Sequence, residues 1–124
     1  MRQLLFYASR DDEDKKRLET AIHDALPGWP IEFFTQLDAL RDRFRNIVEP
    51  DSIAIFLAAD YEELHKMQIL REFLTEIYVL LVIPDWKEST IKLAHLLMPR
   101  FISQKTDDFS DLKKVLIKMT QSSE

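Results

Sequence analysis

Acidic residues follow two apolar, strand-like segments of this chain. Asp11 and Asp12 come shortly after Gln3 to Ala8, and Asp60 comes directly after Ile53 to Ala59. In an open α/β sheet, the chemistry sits at the carboxyl ends of the strands, so these side chains could meet there. Carboxylate oxygens are the ligands that a hard divalent cation prefers. A metal site formed by Asp11, Asp12 and Asp60 is therefore one hypothesis.

The same aspartates also have a purely structural interpretation, which we favour. The acidic run from Asp11 to Asp14 is typical of the first turn of a helix, where negative charge interacts favourably with the helix dipole. Asp60 followed by Glu63 has the spacing of a capping box at the start of a helix. We therefore expect these residues to begin helices, and we expect no cofactor.

Other kinds of α/β site lack their usual residues. The chain has no cysteine and one glycine, Gly28, so neither a reactive thiol nor a glycine-rich phosphate loop is expected. The three histidines, at positions 23, 65 and 95, fall within helix-like patterns, away from the strand ends where they could activate a nucleophile. Flavin binding, nucleotide binding and hydrolase chemistry are disfavoured, and we do not expect an enzyme.

The composition and net charge of the chain limit the classes of partner that it is expected to bind. The chain has 124 residues and a net charge of -5, with charged residues mixed among apolar ones. We expect one domain spanning residues 1–124 in the cytoplasm, with no membrane segment. The negative charge argues against nucleic acid as a partner, because that binding depends on neutralising phosphates. The sequence leaves a homodimer open.

Strand-like and helix-like patterns alternate five times. Apolar runs predict strands at Gln3–Ala8, Ile31–Phe34, Ile53–Ala58, Tyr78–Ile83 and Arg100–Ser103. Apolar residues spaced at helical intervals predict a helix after each strand, with Thr35 as the N-cap of the second and Met67 to Ile77 marking the third. The tail from Thr120 to Glu124 is polar.

This alternation predicts a three-layer, doubly wound α/β fold with a five-stranded parallel sheet. The first, third and fourth strands are almost entirely apolar, as strands covered on both faces must be. The second and fifth are short and carry polar residues, so they belong at the edges. The predicted strand order is 2-1-3-4-5.

The last part of the chain carries a resemblance to a known family. The segment from Phe101 to Leu112 resembles the fifth strand, the invariant lysine and the start of the last helix of response-regulator receiver (CheY-like) domains, with Lys105 at the lysine position. The family implies a flavodoxin-like fold and an aspartate at the end of the third strand that accepts a phosphoryl group. That position falls here on Leu57 or Ala58, neither of which can accept phosphate.

The rest of the family's site is also replaced. The acidic pair that holds Mg²⁺ in receivers falls on Ala8 and Ser9, and the hydroxyl residue after the fourth strand falls on Ile83 or Pro84. The resemblance therefore implies a degenerate pseudo-receiver that works without phosphorylation. Of the family's site residues, Lys105 alone matches.

A pseudo-receiver would act by binding another protein, within bacterial signalling. The surface that receivers commonly use comprises the fourth helix, the fifth strand and the fifth helix. Trp86, Arg100 and Lys105 lie near it in the sequence and are the candidate contact residues, because aromatic and charged side chains can anchor a partner. The alternative is a small-molecule or divalent-metal-binding domain, possibly enzymatic, that uses Asp11, Asp12, Asp60 and Lys105.

Overall fold

A computed structural model describes residues 3–46 and 48–121. Five parallel strands form one sheet in the order β2-β1-β3-β4-β5, as the sequence predicted. The strands are β1 (Leu4–Ala8), β2 (Glu32–Phe34), β3 (Ile53–Leu57), β4 (Tyr78–Ile83) and β5 (Phe101–Gln104). The helices are α1 (Glu13–Ala25), α2 (Leu37–Phe44), α3 (Tyr61–Lys66), a 3₁₀ helix (Met67–Phe73), α4 (Glu88–His95) and α5 (Ser110–Gln121).

Burial along the strands explains this order. Every residue of β1 and β3 is buried, as is β4 after Tyr78, because helices cover both faces of the central strands. By contrast, β2 has no buried residue and β5 has one, Ser103. These two short strands form the edges of the sheet, as their polar residues predicted.

Alternate residues of each central strand face different layers. Along β3, Ile53, Ile55 and Leu57 pack with α1 and α5. Ala54 and Phe56, with Ala58 just after the strand, belong to the core beneath α2, α3 and α4. The fold is therefore three-layered and doubly wound, as predicted.

The predicted third helix is wrong in its extent. The α-helix stops at Lys66, and a 3₁₀ helix continues from Met67 to Phe73. Ile77, which was assigned to this helix, lies just before β4. Met67 and Leu70 are fully buried and three residues apart, a spacing that a 3₁₀ helix places on one line. Packing of these two side chains is compatible with the tighter helix.

Several helix ends in the structure also differ from those predicted. Gln36, rather than Thr35, is the N-cap of α2, and among the described residues it makes no side-chain capping bond. Helix α5 continues to Gln121, so the first part of the predicted polar tail is helical. Residue 47, which its spacing from Leu40 and Phe44 predicts on the apolar face of the second helix, and residues 122–124 lie outside the described part. None of the described helices is long and apolar enough to cross a membrane.

Candidate functional site

The end of β3 is packed rather than open. Leu57 is 4% exposed and Ala58 is fully buried, with its N–H donating to the carbonyl oxygen of Val82 at 2.9 Å. Leu57 lines a small cavity beside Lys105, whereas Ala58 faces the opposite layer of the core. Of the two positions left open by the sequence, Leu57 is therefore the one that faces the lysine.

This cavity lies where the resemblance to receivers places their phosphorylation pocket. It has a volume of about 10 Å³ and is lined by Ser9, Arg10, Asp12, Asp14, Leu57, Ala59 and Lys105. Such a space holds about one water molecule. The structure thus brings Asp12 near Lys105, but Asp11 and Asp60 are not among the lining residues. Leu57 occupies the side of this space that faces Lys105.

Asp60 begins α3 and also binds an arginine. Its Oδ1 accepts the N–H of Glu63 at 2.8 Å, which confirms the predicted cap. Its Oδ2 accepts Nη2 of Arg10 at 2.9 Å, and both side chains of this ion pair are about half exposed. The return bond of the capping box is shifted by one residue, because Glu63 Oε1 accepts the N–H of Ala59, at 2.9 Å, rather than that of Asp60. Both carboxylates are therefore engaged at the start of α3, and Asp60 also joins it to the loop after β1.

The other two metal candidates are engaged at the start of α1. Asp12 is the N-cap, and its Oδ1 accepts the N–H of Lys15 at 3.0 Å. Asp11 lies 3.7 Å from Nζ of Lys15, and its side chain is 82% exposed. Among residues 3–46 and 48–121, no group of three or more His, Asp or Glu side chains lies close enough together to hold a metal ion. The candidate residues Asp11, Asp12 and Asp60 are thus not brought together.

Lys105 lies over the end of β3. Its backbone N–H donates to the carbonyl oxygen of Ile83 at 3.0 Å, which continues the pairing of β5 with β4. Its Nζ donates to the carbonyl oxygen of Ala59 at 3.3 Å. The lysine thus has the place that the resemblance gave it, but its ammonium group binds the backbone.

Arg17 is a residue that the sequence analysis missed. Its guanidinium donates to the carbonyl oxygen of Lys105 at 2.9 Å and also to that of Asp107. It lies 4.9 Å from the ring centroid of Phe109, whose backbone has a left-handed φ of 65°. One side chain of α1 therefore holds the whole loop between β5 and α5. The one signal in the sequence was its i,i+3 spacing from Asp14, with which it also pairs at 3.3 Å.

Tyr7 supplies a second contact that the sequence did not indicate. This side chain is 2% exposed, and its hydroxyl donates to Glu63 Oε2 at 3.2 Å. Burial, followed by the negative charge of Glu63, raises the pKa of Tyr7 well above its ordinary value. The hydroxyl stays protonated at neutral pH and ties β1 to α3.

The three candidate contact residues do not form one cluster. Trp86 follows β4 and is 50% exposed, between Asp85 and Lys87, whose N–H donates to Asp85 Oδ1 at 2.9 Å. Lys105 lies at the same carboxyl edge of the sheet. Arg100 precedes β5 and stacks over the ring of Tyr78 at 4.3 Å. It therefore lies at the amino ends of the strands, about 16 Å from Lys105 at 3.3 Å per strand residue.

Comparison with known proteins agrees with this architecture. No protein-family model and no curated protein matches the chain. Among solved structures, the response regulator RcsB of Salmonella typhimurium has a TM-score of 0.69 at 11% identity, covering 99% of this chain and 62% of RcsB. The pilus assembly protein CpaE of Burkholderia thailandensis has a TM-score of 0.68 at 16% identity, covering 98% of this chain and 99% of CpaE.

A third structure, the phosphorylated cyanobacterial phytochrome response regulator RcpA, has a TM-score of 0.63 at 12% identity, covering 98% of this chain and 93% of RcpA. At these identities the likeness concerns the fold. The chain has a receiver-like, doubly wound α/β fold.

Proposed function

We propose that this chain is a pseudo-receiver: a non-catalytic protein-interaction module, acting within the cytoplasm as one domain, whose activity does not depend on phosphorylation. The observation that carries the proposal is the packed end of β3, where Leu57 faces Lys105 across a cavity of about 10 Å³. Leucine has no group that accepts a phosphoryl, and it packs where the resemblance places the acceptor.

The charges around this edge support the proposal. In a receiver, a metal ion connects the acidic loop after the first strand to the aspartate after the third. Here the Arg10 guanidinium makes that connection, because it pairs with Asp60 at 2.9 Å. Lys105 donates to the Ala59 carbonyl oxygen instead of contacting a phosphoryl group. The Arg10 guanidinium and the backbone-bonded Lys105 thus lie where a receiver binds a metal ion and a phosphoryl group.

The proposed contact surface comprises α4, β5, α5 and the loop that carries Trp86. Trp86 is the strongest anchor because a half-exposed indole on a turn fixed by Asp85 offers a large apolar area with little motion to lose. Lys105 lies at the same edge, and Arg100 would contact a partner that extends across β5. The similar structures come from response regulators and from pilus assembly proteins, so the partner we propose is a protein of a regulatory or assembly system.

The first experiment tests independence from phosphorylation. Trp86 fluorescence, recorded in a Trp29→Phe background, is followed during titration with Mg²⁺ and a beryllium fluoride phosphoryl analogue. We expect no saturable change at millimolar Mg²⁺, whereas a phosphorylatable receiver treated in parallel should respond. Saturable quenching would overturn the proposal in favour of metal or small-molecule binding at this edge.

The second experiment tests the contact surface. Proteins retained by the immobilised chain are identified, purified and titrated against wild type and Trp86→Ala. We expect the variant to lose at least tenfold in affinity, as truncation of a buried aromatic anchor does. Phe33→Ala is the matched control, since Phe33 is 47% exposed on the far edge strand β2. Equal losses in both variants would contradict a contact at Trp86.

A further inference from the structure

A surface groove lies between the 3₁₀ helix and the end of α4, at the end of α4 remote from Trp86. Its volume is about 560 Å³. The groove is lined by Gln68, Ile69, Arg71, Glu72, His95, Leu96 and Met98. Four of these residues belong to the 3₁₀ helix, and the other three end α4 or follow it.

The groove concentrates exposed apolar side chains. Ile69 is 43% exposed, Leu96 is 45% and Met98 is 52%. They are three of the seven large apolar residues that are exposed in the described part of the chain. Such clustering marks a contact surface more often than scattered exposure does.

The backbone around the groove is also unusual. The 3₁₀ helix has seven residues, although runs of this kind seldom exceed about four. Met98 has a left-handed φ of 54°, a conformation that costs most side chains energy and that glycine or asparagine usually adopts. Strained backbone is enriched at contact sites, and the Met98 side chain is the most exposed of the three.

Two polar features of the groove have no side-chain partner among the described residues. Gln68 donates from Nε2 to the carbonyl oxygens of Leu64 and Leu93, but its buried Oε1 has no hydrogen-bond partner among the described residues. Arg71 and Glu72 are both exposed, and neither forms an ion pair within residues 3–46 and 48–121. Adjacent opposite charges beside an apolar stripe can be self-complementary, because a two-fold axis that passes between them places Arg71 of one copy opposite Glu72 of the other.

We propose that this groove is the interface of a symmetric homodimer. Ile69, Leu96 and Met98 of two copies pack together about a two-fold axis. Arg71 of each copy pairs with Glu72 of the other. The groove lies away from Trp86 and Lys105 but includes the end of α4, which also belongs to the proposed contact surface. The dimer forms without a second protein, so its test does not depend on the proposed function.

The size of the apolar surface sets the strength of the dimer. A stable interface buries about 800 Å² per partner, and three half-exposed side chains supply only part of that. The dimer is therefore reversible and concentration-dependent, with the charge pairs fixing its orientation.

The test is sedimentation velocity of the full chain over a range of protein concentrations. We expect wild type to shift from monomer to dimer as concentration rises. Met98→Lys should remain monomeric. The matched control is Ile117→Lys on α5, at a residue that is 38% exposed and lies outside the groove, and it should dimerise as wild type does. Thermal unfolding of each variant at low concentration confirms that it folds.

Charge reversal tests the orientation. Arg71→Glu places two pairs of like charges in the interface, and Glu72→Arg does the same. Each variant alone should therefore be monomeric. An equimolar mixture of the two restores both opposite pairs and should dimerise, as should the double variant. A wild type that stays monomeric at all concentrations would overturn the proposal. A dimer that is insensitive to both reversals would also overturn it, because its interface would lie elsewhere.

Discussion

The carboxyl edge of the sheet and the groove beside α4 differ in whether their charged side chains have partners among the described residues. At the edge, Asp60 pairs with Arg10 and Lys105 donates to a backbone carbonyl, around a cavity of about 10 Å³. In the groove, Arg71 and Glu72 have no ion-pair partner among the described residues, around a volume of about 560 Å³. Charges that are bonded within the chain hold loops together, whereas solvent-exposed charges beside an apolar surface remain able to pair with a partner. The charges at the carboxyl edge thus bond to neighbouring groups of the chain, whereas those beside the groove face solvent.

The largest expected effect comes from placing a carboxylate at the end of β3, where the bonded edge has none. Ala58→Asp buries an unpaired charge in the fully buried layer beneath α3, and it should lower the free energy of unfolding by about 3–5 kcal/mol. Leu57→Asp should cost less, since its carboxylate faces the cavity and Lys105 can pair with it. Urea denaturation of both variants measures the difference.

The ranking of these two variants is the informative result. If Ala58→Asp were the better tolerated one, the aspartate would have found a polar environment on the α3 side, and the assignment of Leu57 to the phosphoacceptor position would be wrong. Leu57→Ala is the control for lost volume alone.

The second effect concerns Arg17, which joins the loop after β5 to α1. Arg17→Ala removes two hydrogen bonds to carbonyl oxygens and the stacking on Phe109, so it should cost about 1.5–3 kcal/mol. Hydrogen exchange at residues 105–109 should accelerate more than exchange in β3. Arg17→Lys keeps the charge but not the planar fork, so it should recover only a small part of the stability. Full recovery would mean that charge alone holds the loop.

The sequence predicted the sheet because its signals are local. Apolar runs in β1, β3 and β4 and polar residues in β2 and β5 were sufficient to order the strands. Asp60 was recognisable as a cap because Glu63 is three residues away. By contrast, the bonds of Arg17 to Lys105 and of Tyr7 to Glu63 join residues far apart in the chain. No pattern of neighbouring residues indicates such bonds.

The end of the third helix was mispredicted for a similar reason. Met67, Leu70 and Leu74 are spaced three and four residues apart, which fits an α-helix as well as a tighter turn. The choice between them depends on packing against the sheet, which periodicity does not report. The groove beside α4 follows from this choice, so it could not be predicted.

A smaller effect concerns the Tyr7 hydroxyl. Tyr7→Phe removes one hydrogen bond to Glu63 and should cost about 1 kcal/mol at neutral pH. The pKa of Tyr7 is raised in the folded chain above its ordinary value of 10.0, so the folded state retains a proton that the unfolded state releases. This contribution is complete below pH 10 and is lost as pH rises above that value.

Urea denaturation at several pH values between neutral and alkaline compares wild type with Tyr7→Phe. The stability of wild type should fall more steeply above pH 10, because the variant lacks this group and the other titrating residues are common to both. Parallel curves would show that the buried hydroxyl does not resist ionisation.

The smallest expected effect concerns Met98, and it separates the stability of the chain from the formation of the dimer. Glycine adopts a left-handed φ without steric cost, so Met98→Gly should relieve the strain at φ 54° and stabilise the chain by about 0.5–1 kcal/mol. Met98→Ala keeps that strain and should give no gain. Both variants remove the side chain and should weaken the dimer in sedimentation velocity. A glycine variant that is both more stable and less dimeric would show that the strain serves to present a contact residue. If it were no more stable than the alanine variant, strain would not explain the exposed methionine.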